Sequence, residues 1–444
     1  MQLKQTSPLV VALVAATSTL LGSPTNAGAL DEADWEVEAS ALYYRESDDR
    51  VQDASVSLRA ARTTESGQVL VLGLTADTLT GATPTGAVPL NQAQTFTRPS
   101  EKGSYTTPAG ETPTDDTFKD SRVAGYISWT QPLAESWTST MGLSFSDEYD
   151  YLHLGVNAAL SKEFNTKNTI VNFGASFSRD TIDPEGGIPI ALGAMRAASG
   201  ERDDDDNDDD SNFFSGSSNK INGSKNKNLI DLLIGITQVI DRDTIAQFNY
   251  SFSYVDGYQT DPFKFLSVLD ANTGLPVTGP DSGMFLYLYE NRPEKRTKHS
   301  FFAKVKRALG VGFADVSYRY MTDDWGISSH TIDSRYRYNI SSRHYIEPHI
   351  RWYKQTAADF YSANLVNNQA VPQEASADYR LARFTGITLG MKYGYKVSEN
   401  SEISARIEWY QQDGTARLMG VPATDNVFPG LDAGIVQISY RLRF

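Results

Sequence analysis

GIVQISYRLRF, residues 434–444, places Val436, Ile438, Tyr440, Leu442 and Phe444 on one face of an extended chain and Gln437, Ser439, Arg441 and Arg443 on the other, because successive side chains of a strand point to opposite faces. The arginine-bearing face is too polar for a dry core. The other face is too apolar to stand in water. A strand of a membrane barrel satisfies both, with its apolar side toward lipid and its polar side toward the lumen. The same reading makes Tyr440, Leu442 and Phe444 a closure and assembly signal, met by the barrel assembly machinery, on the strand that pairs with the first and abolishes both sheet edges.

Working outward, the period of two recurs from Trp35 onward in runs longer than the five or six residues of ordinary soluble strands. Phe248, Tyr250, Phe252 and Tyr254, alternating with Gln247, Asn249, Ser251 and Ser253, form the clearest run. The pattern predicts strands over 34–46, 50–62, 67–79, 118–130, 135–147, 150–162, 167–180, 226–240, 243–256, 297–308, 311–324, 328–341, 343–355, 379–397, 400–412 and 432–444. Connections after even strands are short. Every long one, 80–117, 181–225, 257–296, 356–378 and 413–431, follows an odd strand. Sorting of loop length by parity is the mark of an antiparallel up-and-down transmembrane barrel with short periplasmic turns and long extracellular loops. The rival reading is a periplasmic all-β domain of several sheets.

Residues 1–29 carry a single charge, Lys4, an apolar stretch from Leu9 to Leu21, and Ala27-Gly28-Ala29 in the small-x-small form of a cleavage site. They read as a secretory signal, too short in apolar length to span a bilayer as a helix. The barrel domain is then 30–444, in the outer membrane and in contact with its lipid. Without Lys4 there remain 39 basic and 55 acidic residues, a net charge of 39 − 55 = −16, which repels nucleic acid. There is no cysteine, so neither disulfides nor thiolate metal sites enter. The run Asp203–Asp210 within 181–225 lacks apolar residues and repels itself, which predicts partial disorder.

Alternation sends long charged side chains inward in the C-terminal half: Asp315, Arg319, Asp333, Arg335, Arg337, Glu347, His349, Arg351, Arg406, Glu408 and Arg441, with Lys304, Lys306 and Lys392. In the N-terminal half the same face carries Thr140, Gly142, Ser144, Asn157, Gly174, Ser176, Asn249 and Ser251. Arginines beside carboxylates set up transverse fields that select charged solutes; equally, they neutralise one another in a wet interior. Of the five histidines only His153 and His349 fall inward. With no nucleophile motif or ligand pair in sequence, the reading is of no enzyme and no cofactor. Asp323 and Asp324 precede Trp325-Gly326, a pattern suited to a hairpin turn and, as a weaker alternative, to an oxygen-ligated cation.

Several stretches taken together, YRESDDRV at 44–51, DTLTGATPTGA at 77–87, GYQTDPFKFLSVLD at 257–270, YRYMTDDWGISSHTIDSRYR at 318–337 and YIEPHIRWYKQTAADFY at 345–361, resemble an uncharacterised bacterial family of secreted proteins, a domain of unknown function. The resemblance implies a Gram-negative envelope protein without an assigned activity. It also implies an envelope setting that includes thioredoxin-like and flavin-transfer proteins, hence a periplasmic redox partner as one alternative. The reading that joins these observations is a porin-like channel for small polar or charged solutes, as a monomer or homo-oligomer. The alternatives are an accessory protein of a redox or flavoprotein system, and an outer-membrane enzyme.

Overall fold

The computed structural model describes residues 34–48, 50–101, 103–197, 219–279, 281, 284–422 and 426–444; the expected signal segment 1–29 and the acidic run 203–210 lie outside them. Sixteen long strands build the molecule: β1 Asp34–Glu46, β2 Gln52–Thr63, β3 Val69–Pro84, β4 Thr114–Ala134, β5 Trp137–Glu148, β6 Tyr151–Phe164, β7 Thr169–Ile182, β8 Lys225–Asp241, β9 Thr244–Gly257, β10 Lys295–Leu309, β11 Gly312–Asp323, β12 Ser328–Asn339, β13 His344–Gln355, β14 Arg383–Lys396, β15 Ser401–Thr415 and β16 Leu431–Arg443. Each pairs antiparallel with its chain neighbours, and β16 pairs with β1 to close the barrel. At the seam, Trp35 N donates to Phe444 O at 2.8 Å and Phe444 N to Trp35 O at 3.0 Å.

The burial pattern is that of a soluble protein turned inside out. Val56, Leu74, Leu143, Phe248, Ile350 and Ile407 are exposed on the outer wall, while Ser128, Thr140, Asn172 and Ser176 are buried inside. Such a surface is stable only where hydrocarbon meets it, and a closed ladder leaves no unpaired backbone edge there. The chain is therefore an outer-membrane β-barrel. Among the described residues no helix is long and apolar enough to cross a membrane.

The connections after even strands, 64–68, 135–136, 165–168, 242–243, 310–311, 340–343 and 397–400, are the short periplasmic turns. Asn165, Thr166 and Lys167 all take positive φ in one of them. The long connections, 85–113, 183–224, 258–294, 356–382 and 416–430, gather at the opposite, extracellular end. Two expected strand starts are displaced by four residues, β4 beginning at Thr114 rather than 118 and β14 later than 379. Residues 379–381 form a 3₁₀ turn because the Asp378 side chain accepts from Arg380 N, and β14 begins only at Arg383.

The extracellular loops pack into a cap with its own core. Phe265–Leu269, buried along its whole length, pairs antiparallel with Tyr287–Tyr289 and parallel with Leu365–Val366. Beside it Gln94–Thr97 pairs with Ser104–Thr107. The Phe96 ring lies 5.3 Å from that of Phe265 and 4.8 Å from that of Tyr287, whose hydroxyl donates to Gln94 Oε1 at 2.9 Å. Val88, Leu90 and Leu269 pack with Leu418, Val421 and Val427, tying the first, third and last of the long loops together.

Candidate functional site

Between the underside of the cap and the barrel wall lies a vestibule of about 460 Å³. Tyr151, Tyr258, Tyr289 and Tyr353 contribute rings to it, and the β4–β6 side contributes carboxylates. Those of Asp120, Glu148 and the turn residue Asp150 bring one oxygen each within 4.8 Å of one another. Burial and the neighbouring Asp120 push the Asp150 carboxyl up to about 6.

The vestibule roof is held by buried charges. Asp378, 1% exposed, receives both Arg380 Nε, at 2.8 Å from either oxygen, and Arg292 Nη2 at 2.7 Å. Arg380 Nη2 also donates to Asp261 Oδ2 at 2.6 Å, and Arg292 Nε lies 2.6 Å from Glu290 Oε1. Ser376 Oγ closes the set on the other Glu290 oxygen. Lys264 Nζ turns away to Pro84 O at 2.6 Å and Thr83 Oγ1 at 3.1 Å. The three cations and three anions join the 258–294 loop to the 356–382 loop. Burial alone raises the Asp378 carboxyl, but Arg380 and Arg292 outweigh it and hold it well below the carboxylate range; against the same effect of burial, Lys264 and Arg380 lower that of Asp261. Glu290 goes the other way, raised by burial, and burial pulls the Lys264 ammonium down.

Below the vestibule, on the β10–β13 wall, a pocket of about 220 Å³ is lined by Lys304, Asp315, Arg319, Asp333, Arg335 and Arg351. Lys304 Nζ takes Asp315 at 2.7 Å. Asp333 is shared by His349 Nε2 at 3.0 Å, Arg335 Nε at 3.5 Å and Arg351 Nε at 3.7 Å. Arg319 has no carboxylate partner among the described residues; its guanidinium rests 5.5 Å over the Phe302 ring. His349 Nδ1 is 2.8 Å from Glu408 Oε1, and Arg406 Nη1 is 3.6 Å from the same oxygen. Both imidazole nitrogens thus face groups that only accept, so the ring donates twice, as imidazolium.

The remaining charged positions separate from this group. Arg337 stacks 3.4 Å over the Tyr345 ring and reaches Glu402 at 4.0 Å near the periplasmic end. Glu347 stands opposite Lys392 in the register. Arg441 pairs with Glu38 at 3.2 Å, and Arg443 with Glu36 at 2.7 Å. Glu36, Glu38 and the pair of buried Asp77 with half-buried Arg122, at 2.6 Å, show that β1–β4 are charged as well. The small-residue wall starts at β5, where Gly142, Asn157 and Ser176 share a register row across β5–β7, and continues through Gly235 and Asn249 on β8 and β9. Alternation in the first strands held the signal for Glu36 and Glu38, since both share the parity of the inward serine Ser40.

On that wall the register assembles residues that sequence spacing keeps apart. His153 of β6 stands opposite Asp180 of β7, with Nδ1 2.7 Å from Oδ1. Its Nε2 lies 3.4 Å from Ser144 Oγ of β5. Asp323 and Asp324, by contrast, are committed to their turn. Asp323 Oδ1 accepts from Trp325 N and Ile327 N at 3.1 and 2.9 Å, Asp323 Oδ2 from Arg296 Nε at 2.9 Å, and Asp324 Oδ1 from Thr297 N at 2.9 Å.

Over residues 10–442 the sequence matches a family described as "Protein of unknown function (DUF3570)". No curated relative matches it. Among solved structures, the chain is similar to the CymD monoaromatic hydrocarbon channel at 8% identity, over 97% of this chain and 93% of that one, with a TM-score of 0.40. It is similar to the outer membrane protein opdK from Pseudomonas aeruginosa at 8% identity, over 94% and 100%, with a TM-score of 0.38. It is similar to CdiB from Acinetobacter baumannii at 7% identity, over 94% of this chain and 61% of that one, with a TM-score of 0.43.

Proposed function

We propose that this chain, which belongs to the DUF3570 family of proteins of unknown function, is an outer-membrane channel for small polar or charged solutes, capped on its extracellular side and selective through its lumen charges. Sixteen strands enclose a lumen wider than side chains alone fill. The observation that carries the reading is the β10–β13 pocket, where Lys304, Arg319, Arg335 and Arg351 face only Asp315 and Asp333. Lys304 occupies one carboxylate, and the other is divided among two arginines and His349. Arg319 is left uncompensated in a water-filled lumen whose low-dielectric walls focus the field of a fixed charge on passing counter-ions. The pocket therefore favours anionic solutes, while the carboxylates of the vestibule above favour the positive end of a zwitterion.

Tyr440, Leu442 and Phe444 belong to this proposal as the closure signal engaged by the assembly machinery. Tyr440 and Phe444 are exposed on the outer wall next to the seam. The test is ion selectivity of the purified protein in a planar bilayer under a salt gradient, for wild type and an Arg319→Ala, Arg351→Ala double variant. The expected result is a reversal potential displaced toward cation preference in the variant. A bilayer silent across voltage and salt, with wild type and with a cap-loosened Asp378→Asn variant alike, overturns the channel. An open pore whose selectivity ignores the double change overturns the arginine role.

A further inference from the structure

The small-residue wall holds a second chemistry. Asp180 is wholly buried; one oxygen takes His153 Nδ1, and the other receives the Tyr151 hydroxyl and lies 3.4 Å from Lys227 Nζ. A carboxylate only accepts, so the His153 proton sits on Nδ1. In the neutral ring Nε2 then carries the lone pair, aimed at the Ser144 hydroxyl 3.4 Å away. The two inward histidines thereby differ in setting: His349 has a carboxylate on each nitrogen, whereas His153 has a carboxylate on one and a hydroxyl in front of the other.

The surroundings complete the arrangement. Ser144 stands opposite Gly155, and its neighbour on the same face is Gly142, so no side chain from either position crowds the hydroxyl. Asn157 reaches across onto Gly142, where a Cβ would lie 3.2 Å from its Nδ2. That Nδ2 is buried and has no hydrogen-bond partner among the described residues. It is one diagonal step from Ser144 on the same face, a separation that side chains bridge.

We propose that Ser144, His153 and Asp180 form an esterase site on the lumen wall for small carboxylic esters. Ser144 is the nucleophile, His153 the general base, Asp180 a positioning residue, and Asn157 the donor to the oxyanion. The Ser144 Oγ attacks the ester carbonyl carbon as its proton passes to His153 Nε2, and the carbonyl oxygen becomes an oxyanion facing Asn157 Nδ2. The C–O bond to the alcohol then breaks, and the departing oxygen takes the proton back from Nε2. Water repeats the sequence on the acyl-serine, giving the carboxylic acid and free Ser144. Asn157, lying over Gly142, fills the space on that side of Ser144, which keeps the acyl group short. This proposal does not depend on ion conduction, since it needs only that a small ester reach the lumen.

The test uses the full-length folded protein in detergent, with a fluorophosphonate probe and p-nitrophenyl acetate, and the labelled peptide identified by mass. The expected result is a label on Ser144, lost in Ser144→Ala and His153→Gln, with ester hydrolysis lost in parallel. Asp180→Asn, which changes the tautomer preference of His153, should slow labelling by about 10³- to 10⁴-fold and shift its pH profile, with partial rescue by Asp180→Glu. Ser146, directly opposite His153 in the register, serves as the internal comparison, and Ser146→Ala should label as wild type does. Because the cap covers the lumen, the probe is also applied to Asp378→Asn. No label on either protein, a label that persists in Ser144→Ala, or labelling indifferent to His153 overturns the proposal.

Discussion

Asp378→Asn is the sharpest perturbation of the cap. The substitution preserves shape but removes the buried negative charge that Arg292 and Arg380 share. Removing one partner of a buried ion pair costs about 3–5 kcal/mol. The lower end applies here, because Arg380 keeps Asp261 and Arg292 keeps Glu290. The barrel ladder does not pass through Asp378, so the loss appears in the local opening of the cap rather than in global unfolding. At 1.4 kcal/mol per tenfold, about 3 kcal/mol raises the open population roughly 100-fold. Limited proteolysis of the 356–382 loop in the folded barrel reads that population directly, and single-channel recordings should show longer or larger openings. A correctly folded variant whose loop is cut no faster than wild type, and whose conductance is unchanged, refutes the reasoning that these charges hold the cap shut.

Acid should loosen the same cap. Asp261 and Asp378 are depressed, so their stabilisation is present above the unfolded carboxyl value and is lost as pH falls through the folded one; Glu290, raised, works in the opposite sense. Two against one, protease resistance of the cap should hold from neutral pH down to about 4 and fail below it, while the barrel itself persists. Phe444→Ala removes a ring beside the β1–β16 seam, and the expected outcome is a smaller folded fraction in the membrane with any assembled barrel unaltered. Gly312→Ala places a Cβ 1.8 Å from the Arg337 carbonyl oxygen, a backbone atom that cannot swing aside; a loss of about 1–3 kcal/mol or outright failure to assemble is expected in urea titration of the refolded protein.

The strands were legible because lipid on one side and water on the other write a period of two into every one of them. In β16 the alternation of Val436, Ile438 and Tyr440 with Gln437, Ser439 and Arg441 suffices. The cap was not legible, because its contacts join residues far apart in the chain, as Gln94 does with Tyr287, through irregular segments with no period to read. The strand start expected at 379 failed for the same kind of reason, since the Asp378 side chain supplies a local hydrogen bond that competes with the sheet. His153 and His349 were identified as inward, but alternation fixes only the face. What each histidine meets is fixed by register, and a one-residue error in the turn at 165–168 replaces Asp180 opposite His153 with a residue pointing outward. The different settings of the two histidines follow from that single degree of freedom.

The seam between β1 and β16 joins Trp35 to Phe444. Its loop-closure entropy is the largest in the molecule, and no other pairing in the barrel spans so much chain. Every other strand pair is a hairpin or a near neighbour and forms locally; in this pair alone the first strand must wait for the last. Until then the sheet carries two raw edges, each a template for a foreign strand. The interval between synthesis of β1 and arrival of β16 is therefore the period in which this chain is most exposed to aggregation, and whatever holds the first edge during that interval governs how much folded protein a cell obtains.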